Sequence, residues 1–378
     1  MSPPAIIRRE PVINRQRAIT ATRLIVHGDA ASAAATLDAL GDAWPKARTV
    51  LLSLDGGTPN PDLLGWAMPD NAMLEIPAAS FDDDGTQALL EELARRGTPL
   101  CLDGYMPQMT LPAELQFRFL LADARTQSRL PAAPAPAIAK HLDNNDAFDV
   151  AMKNGFSGAA GWFFLNGAKP VGKLNSNHAK LVQLLNLVQR DADVSDIETA
   201  LKHDVTLSFK LLRYINSAGF GLSCEIQSFH HAVAILGYAK LYKWLSLLLV
   251  TASKDPAAPV LMQTAVARGR LMEIVGDRFF GRDQTDNLFI AGAFSLLDAI
   301  LGCGMEQALE QMHLSDAISD ALLRHEGILV PFLDLAVACE NGSGEELLAK
   351  AEALQLTAER LNRAQLEALS FADSLGFG

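Results

Sequence analysis

The chain has 378 residues, 49% hydrophobic and 20% charged, which supports about two folded domains and excludes a largely disordered polymer. Lysine and arginine number 32 against 44 aspartates and glutamates, a net charge of −12, so the long-range field repels phosphate backbones and nucleic acid is not the expected partner. The N-terminus, MSPPAIIRREPVINRQR, lacks the apolar stretch of a signal segment. The longest apolar run, Trp244 to Val250, falls far short of the roughly 20 residues that cross a bilayer, so a cytoplasmic protein without membrane insertion is expected.

Proline divides the chain unevenly: only Pro256, Pro259 and Pro331 follow Pro170. Because proline breaks helix interiors, the first part must be segmented and the second can hold long helices. The predicted domains are 1–171 and 172–378, with Pro131 to Pro136 kept as an internal loop. In the first domain, strands are predicted at Arg23 to His27, Thr49 to Leu54, Met73 to Ile76, Leu100 to Asp103, Phe117 to Leu121 and Gly161 to Leu165. Helices are predicted at Ala30 to Leu40, Thr86 to Arg96 and Asp146 to Lys153. Such alternation points to an α/β fold with a largely parallel sheet. At about 170 residues the domain is shorter than an ordinary eight-fold barrel, so a reduced or incomplete TIM-barrel-like fold is expected.

Beyond the boundary the periodicity becomes helical, and an all-α domain is predicted. Leu181, Leu184, Leu185 and Val188 share one face, and Ser195 with Glu198 has the spacing of a capping box. Leu207, Leu211, Leu212 and Ile215 form a stripe that ends at Asn216-Ser217-Ala218-Gly219. Ser228 opens a run through Leu236 and Gly237 to Val250, Pro259 suits the first turn of a helix from Val260 to Phe280, and Ser315 and Thr357 are candidate N-caps. Cys101, Cys224, Cys303 and Cys339 are scattered without a C-x-x-C and are predicted to be free thiols.

Few side chains suggest chemistry. His203-Asp204 has the core dipeptide of a metal-dependent HD phosphohydrolase, but His178, His230, His231, His313 and His325 show no metal-ligand spacing around it. Glu75, Asp103 and Asp143 each end or follow an apolar strand-like run, which in a parallel α/β fold puts them on the rim where ligands bind; rim carboxylates also serve as helix caps. Asp82-Asp83-Asp84 reads as a solvated turn before a helix. P-loop, G-x-G-x-x-G, G-x-S-x-G and H-E-x-x-H motifs are absent.

The stretch DIETALKHDVTLSFKLLRYINSAGFG, followed by EIQSFHHAVAILGYAKLYKWLSLLL, resembles the HDOD domain of bacterial signalling proteins. Leu211, Leu212, Asn216, Ser217, Ile226, Ser228, Leu236 and Gly237 carry the likeness. HDOD domains share the HD fold without its metal ligands, which implies a regulatory or interaction module. The first half resembles a degenerate EAL domain, the fold of cyclic dimeric GMP phosphodiesterases, through LEIP (Leu74 to Pro77), CLDGY (Cys101 to Tyr105), AKHLD (Ala139 to Asp143) and AGWFF (Ala160 to Phe164). By that resemblance Glu75, Asp103 and Asp143 are vestiges of the metal-binding rim. The family's signature Glu falls at Arg23, its Asn at Ser53, the second Asp at Gly104, the catalytic Lys at Thr126 and a further Glu at Lys140. Its nucleotide-binding arginine has no counterpart in LIVHG.

The resemblance implies no catalytic, cofactor or metal residues. The expected function is a non-enzymatic signalling adaptor that contacts unknown signalling proteins, with Tyr238, Tyr242 and Trp244 as candidate contact or core aromatics. The alternatives are a sensor that binds cyclic dimeric GMP or a related nucleotide without hydrolysis, and a phosphohydrolase that uses the helical half.

Overall fold

The computed structural model describes residues 5–127, 129–131, 133–166, 176–202, 229–250, 258–310 and 312–375. They fall into two compact units, one from the described residues of 1–167 and 337–366, the other from those of 168–336 and 367–378.

In the first unit eight strands close into a barrel in chain order: β1 (Ile6–Asn14), β2 (Ile19–His27), β3 (Thr49–Asp55), β4 (Ala72–Pro77), β5 (Pro99–Asp103), β6 (Gln116–Asp123), β7 (Ala137–Lys140) and β8 (Gly158–Ala160). Neighbours from β2 to β8 are parallel, whereas β1 runs antiparallel to both β2 and β8. Helices α1 (Ala30–Ala39), α2 (Asp84–Arg96) and α3 (Asn145–Lys153) follow β2, β4 and β7. The sheet is therefore complete, and the economy lies in the helical layer. Asp29, Asp83 and Asn144 cap the three helices by accepting the amides of Ser32, Thr86 and Ala147.

Two strands are absent from the sequence expectation, and one is displaced. In β1 the charged and proline residues of Arg8-Arg9-Glu10-Pro11 hide the apolar alternation, and β7 is only four residues long. The strand expected at Gly161 to Leu165 lies earlier, at Gly158–Ala160, and Phe163–Leu165 forms a single 3₁₀ turn.

Side chains alternate across each strand. Leu24 and Val26, Val50 and Leu52, Leu74 and Ile76, and Leu100 pack in one core with Leu37, Leu89 and Leu93 of the helices. Val12, Ala21, Leu51, Cys101, Leu121, Ile138 and Ala160 form a second core, with Met73 and Phe119 against it. These belong to the other face of the strands and fill the barrel interior.

β8 pairs with β1 only at residues 12–14, so the first half of β1 has an edge without a strand partner. Side chains take over the ladder. Asn362 Oδ1 accepts the Ile7 amide at 2.9 Å, and its Nδ2 donates to Ala5 O at 2.9 Å. Gln365 Nε2 donates to Ile7 O at 2.8 Å, Trp162 Nε1 to Arg9 O at 3.2 Å, and the Gly161 amide to Pro11 O at 3.1 Å. The carbonyls of residues 5, 7, 9 and 11 and the Ile7 amide are thus bonded, as a barrel edge requires. This accounts for the place of residues 337–366 in the first unit, although a boundary near 172 assigns them to the helical domain.

The second unit is helical in its described residues, with α4 (Ser176–Gln189), α5 (Val194–Lys202), α6 (Phe229–Val250), α7 (Ala258–Gly276) and α8 (Arg282–Phe294) as its longer elements; α9 (Val330–Asn341) and α11 (Ala358–Ser374) divide between the units, and α10 (Gly344–Ala353) lies in the first. α7 and α8 approach closely at two glycines: a Cβ on Gly269 would lie 2.5 Å from Phe289 O, and one on Gly292 only 2.6 Å from Gly269 Cα. Pro259 is in the first turn of α7 as expected. Ser195 lies inside α5, and Asp193 accepts its amide instead. Thr357 accepts the Arg360 amide at 3.3 Å, whereas Ser315 precedes its helix without a side-chain cap. Cys101, Cys303 and Cys339 are buried free thiols.

Replacing Asn362, which is fully buried, by Ala strands the Ile7 amide and the Ala5 carbonyl and should cost the first unit about 2–4 kcal/mol, read as a lower urea midpoint; an unchanged midpoint would contradict the edge-capping role.

Candidate functional site

The barrel interior changes character at the carboxyl ends of the parallel strands. Two residues beyond an apolar interior side chain, each of the strands β2 to β7 places a polar or charged one: Ala21 is followed by Arg23, Leu51 by Ser53, Met73 by Glu75, Cys101 by Asp103, Leu121 by Asp123 and Ile138 by Lys140. On antiparallel β1 the same step runs backward, from Val12 to Glu10. A period of two thus stacks a polar layer on an apolar one.

Arg23 is the centre of that layer. Its Nε donates to Glu75 Oε2 at 2.7 Å, and its Nη2 to Glu75 Oε1 at 2.5 Å and to Ser53 Oγ at 3.2 Å. Its Nη1 donates to Glu10 Oε2 at 3.0 Å, and Ser53 Oγ donates to Glu75 Oε1 at 2.9 Å. Arg23 is 8% exposed and Glu75 3%, so this is a buried bidentate pair, with Ser53 and Glu10 taking further guanidinium donors. Burial alone would lower the guanidinium pKa, but the charge and hydrogen bonds of Glu75, with help from Glu10, hold it above its ordinary value. Beside it Lys140 Nζ donates to Asp103 Oδ1 at 2.6 Å. The Cys101 thiol is pushed up by burial first and then by the charge of Glu75.

A third cluster lies at the ends of β6 and β7. Arg125 grips Asp123 with Nε at 3.0 Å and Nη2 at 2.7 Å, and His141 Nδ1 stands 3.0 Å from the same carboxylate. The Arg125 hydrogen bonds hold Asp123 well below the usual carboxylate range. A cavity of about 300 Å³ opens at this end, lined by Arg8, Glu10, Arg23, Lys140 and His141, with Leu142, Ala160, Gly161 and Trp162.

Of the rim carboxylates expected from the sequence, Glu75 and Asp103 are brought into the ion-paired layer, whereas Asp143 is exposed in the loop after β7. Glu10, Asp123, Arg125 and His141 do not stand out in the sequence; a charge two positions from an interior apolar residue finds Glu10 and Asp123, whereas Arg125 and His141 lie beyond that spacing in the segments after β6 and β7. In the second unit Lys243 bonds Glu273 and also donates to Asp286 at 3.1 Å, another ammonium between carboxylates. Tyr242 is buried, and the half-buried Tyr238 donates to Ala192 O at 2.8 Å. Among the described residues no group of three or more His, Cys, Asp or Glu is arranged to hold a metal ion, and no helix is long and apolar enough to cross a membrane. His203, Asp204, Leu211, Leu212, Asn216, Ser217, Ile226 and Ser228 lie outside the described residues. Leu236 and Gly237 are within α6, where Gly237 takes φ 72° and kinks the helix.

Residues 173–323 match the family model of the HDOD domain, so the chain carries an HDOD domain there. Over 209 residues it is 30% identical to a Vibrio cholerae protein named cyclic di-GMP phosphodiesterase CdgJ, covering 54% of this chain and 48% of that protein. It is 24% identical over 243 residues to the uncharacterized protein YuxH of Bacillus subtilis, covering 63% and 59%. The chain thus spans about half the length of the curated relatives it matches. An HDOD domain protein of unknown function from Geobacter sulfurreducens aligns with 54% of this chain and 94% of its own, at 16% identity and a TM-score of 0.37. The likeness to CdgJ corrects the expectation that the chain is not an enzyme: a relative 30% identical over 54% of this chain is named a phosphodiesterase.

Replacing Arg23 by Met leaves the Glu75 carboxylate buried without its counter-charge and should destabilise the first unit by about 3–5 kcal/mol, with most of that recovered in R23M/E75M. Urea unfolding of the two variants checks this; equal losses in both would contradict the pairing.

Proposed function

We propose that this chain is a signal-transduction regulator in the cyclic dimeric GMP pathway, composed of a degenerate EAL-like barrel and an HDOD domain. In this reading the barrel-end carboxylates bind the protein's own cations in place of metal ions, and output passes through contacts with partner proteins. The observation that carries it is the bidentate Arg23–Glu75 pair beside Lys140–Asp103. Both oxygens of Glu75 are already engaged, and a divalent ion entering beside a fixed guanidinium and ammonium would meet Coulomb repulsion where it needs several anionic oxygens. The relationship to a protein named as a cyclic di-GMP phosphodiesterase supports the pathway. The HDOD domain supports the mode of output, as do the exposed side chains of Phe279, Leu323 and Ile328 in the second unit.

A second reading, sensing of cyclic dimeric GMP or a related nucleotide at the barrel end, is favoured by the cavity there and its cationic lining.

The test pairs Mn²⁺ titration, followed by thermal unfolding, with an assay of cyclic dimeric GMP turnover. In wild type the barrel transition should be indifferent to Mn²⁺. The R23S/K140S variant, with Glu75 and Asp103 freed, should gain about 2.7 kcal/mol of metal-dependent stability at about a hundredfold excess over its Kd. Metal-dependent turnover by wild type that E75Q abolishes would overturn the ion-paired reading.

A further inference from the structure

We infer that the cavity at the carboxyl end of the barrel is a binding site for a compact organic phosphate monoester, held by Arg8, Lys140 and His141. This deepens the sensing reading above and rests on it.

The charge facing the cavity is unbalanced. The cations Arg8, Arg23 and Lys140 line it, with the His141 ring, against one carboxylate, Glu10; Glu75 and Asp103, which neutralise Arg23 and Lys140, do not line it. An anion entering there meets the donor side of each pair without displacing the carboxylates. Arg8 also has capacity to spare. Its Nη1 lies 3.3 Å from Glu10 and 3.4 Å from Glu340 O, while its Nε is buried without a hydrogen-bond partner among the described residues. A buried donor left unpaired is costly, and a ligand oxygen is one way to satisfy it.

His141 is the more telling residue. It has φ 58°, a left-handed conformation uncommon outside glycine, and this turns its ring to the cavity lining rather than continuing β7. Nδ1 lies 3.1 Å from Nη2 of Arg125 and 3.0 Å from the Asp123 carboxylate onto which Arg125 is forked; in the tautomer whose Nδ1 accepts from Arg125, the ring proton is on Nε2. Orientation fixed through Nδ1 leaves Nε2 for a ligand. A guanidinium, an ammonium and an imidazole around one cavity suit a tetrahedral dianion with three terminal oxygens better than a planar carboxylate.

Size and wall chemistry limit the rest of the ligand. About 300 Å³ is at the lower end for small-molecule sites, enough for a mononucleotide-sized monoester and short of a cyclic dinucleotide. Trp162 Nε1 is spent on Arg9 O and Glu340 O, so its ring offers the cavity an apolar wall for the organic part.

Calorimetric titration of the full chain with inorganic phosphate, guanosine 5′-monophosphate and cyclic dimeric GMP tests the site. Guanosine 5′-monophosphate should bind, excess phosphate should displace it from wild type, and affinity should fall at least tenfold in R8Q and in H141N, which keeps a residue tolerant of the left-handed backbone. R95A, on the exposed face of α2, should bind as wild type does. The wild-type competition reads the site even if a variant fails to fold. No binding of either phosphate compound, binding unchanged in both variants, or binding of inorganic phosphate alone would overturn the assignment. Cyclic dimeric GMP binding that is indifferent to R8Q and H141N would overturn this site while leaving the sensing reading intact; absence of binding by all three ligands would remove both.

Discussion

A guanidinium buried inside a closed barrel must be answered by fixed anions, and Arg23 is answered by both oxygens of Glu75 and one of Glu10. That requirement organises the carboxyl end of the barrel. Glu75 can be almost fully buried only because the charge opposite it is permanent, and Ser53 bonds both partners and fixes their geometry. Lys140 and Asp103 repeat the arrangement one pair along. Had the two cations been neutral, three interior carboxylates would share one space, and mutual repulsion would favour protonation or capture of a cation from solvent. The chain carries those cations covalently, so the neutralisation needs no ion from solution.

The same barrel solves a second problem with side chains. Its first strand runs against its neighbours and meets β8 for only three residues, which would leave a strand edge open. Asn362 and Gln365 supply amide groups that donate and accept as a strand backbone would. Folding of the first unit therefore depends on residues that follow the HDOD region in the chain, and contacts between such distant segments carry a large loop-closure cost. Arg9, paired with Glu340 at 3.3 Å, adds a charged contact between the same segments.

Much of this fold is legible in the sequence where local chemistry repeats. β2 to β6 show as apolar runs, and α1 to α3 begin at Asp or Asn caps in front of helical periodicity. β1 is hidden because its interior residues, Arg8 and Glu10, belong to the polar layer, so alternation of hydrophobicity fails there. The role of Asn362 is invisible for a related reason: an amide on a helix face reads as solvated until the strand edge it bonds is known. At the candidate site, Glu75 and Asp103 are recognisable as strand-end carboxylates, and Arg23, Ser53 and Lys140 as departures from the EAL pattern. That the departures bond the surviving carboxylates follows only from the barrel register, which brings separate strands together. His141 gives no such signal, whereas Asp123 ends the apolar run of β6 two positions beyond the interior Leu121.

The central proposal is that the ion pairs of Arg23 with Glu75 and Lys140 with Asp103 take the place of metal at the barrel end. A crystal of the full chain soaked in Mn²⁺ and measured at the manganese absorption edge tests it most directly. The account predicts no anomalous peak at the barrel end, with the Arg23 guanidinium still forked onto Glu75. A peak coordinated by Glu75 and Asp103, with Arg23 turned away, would contradict it.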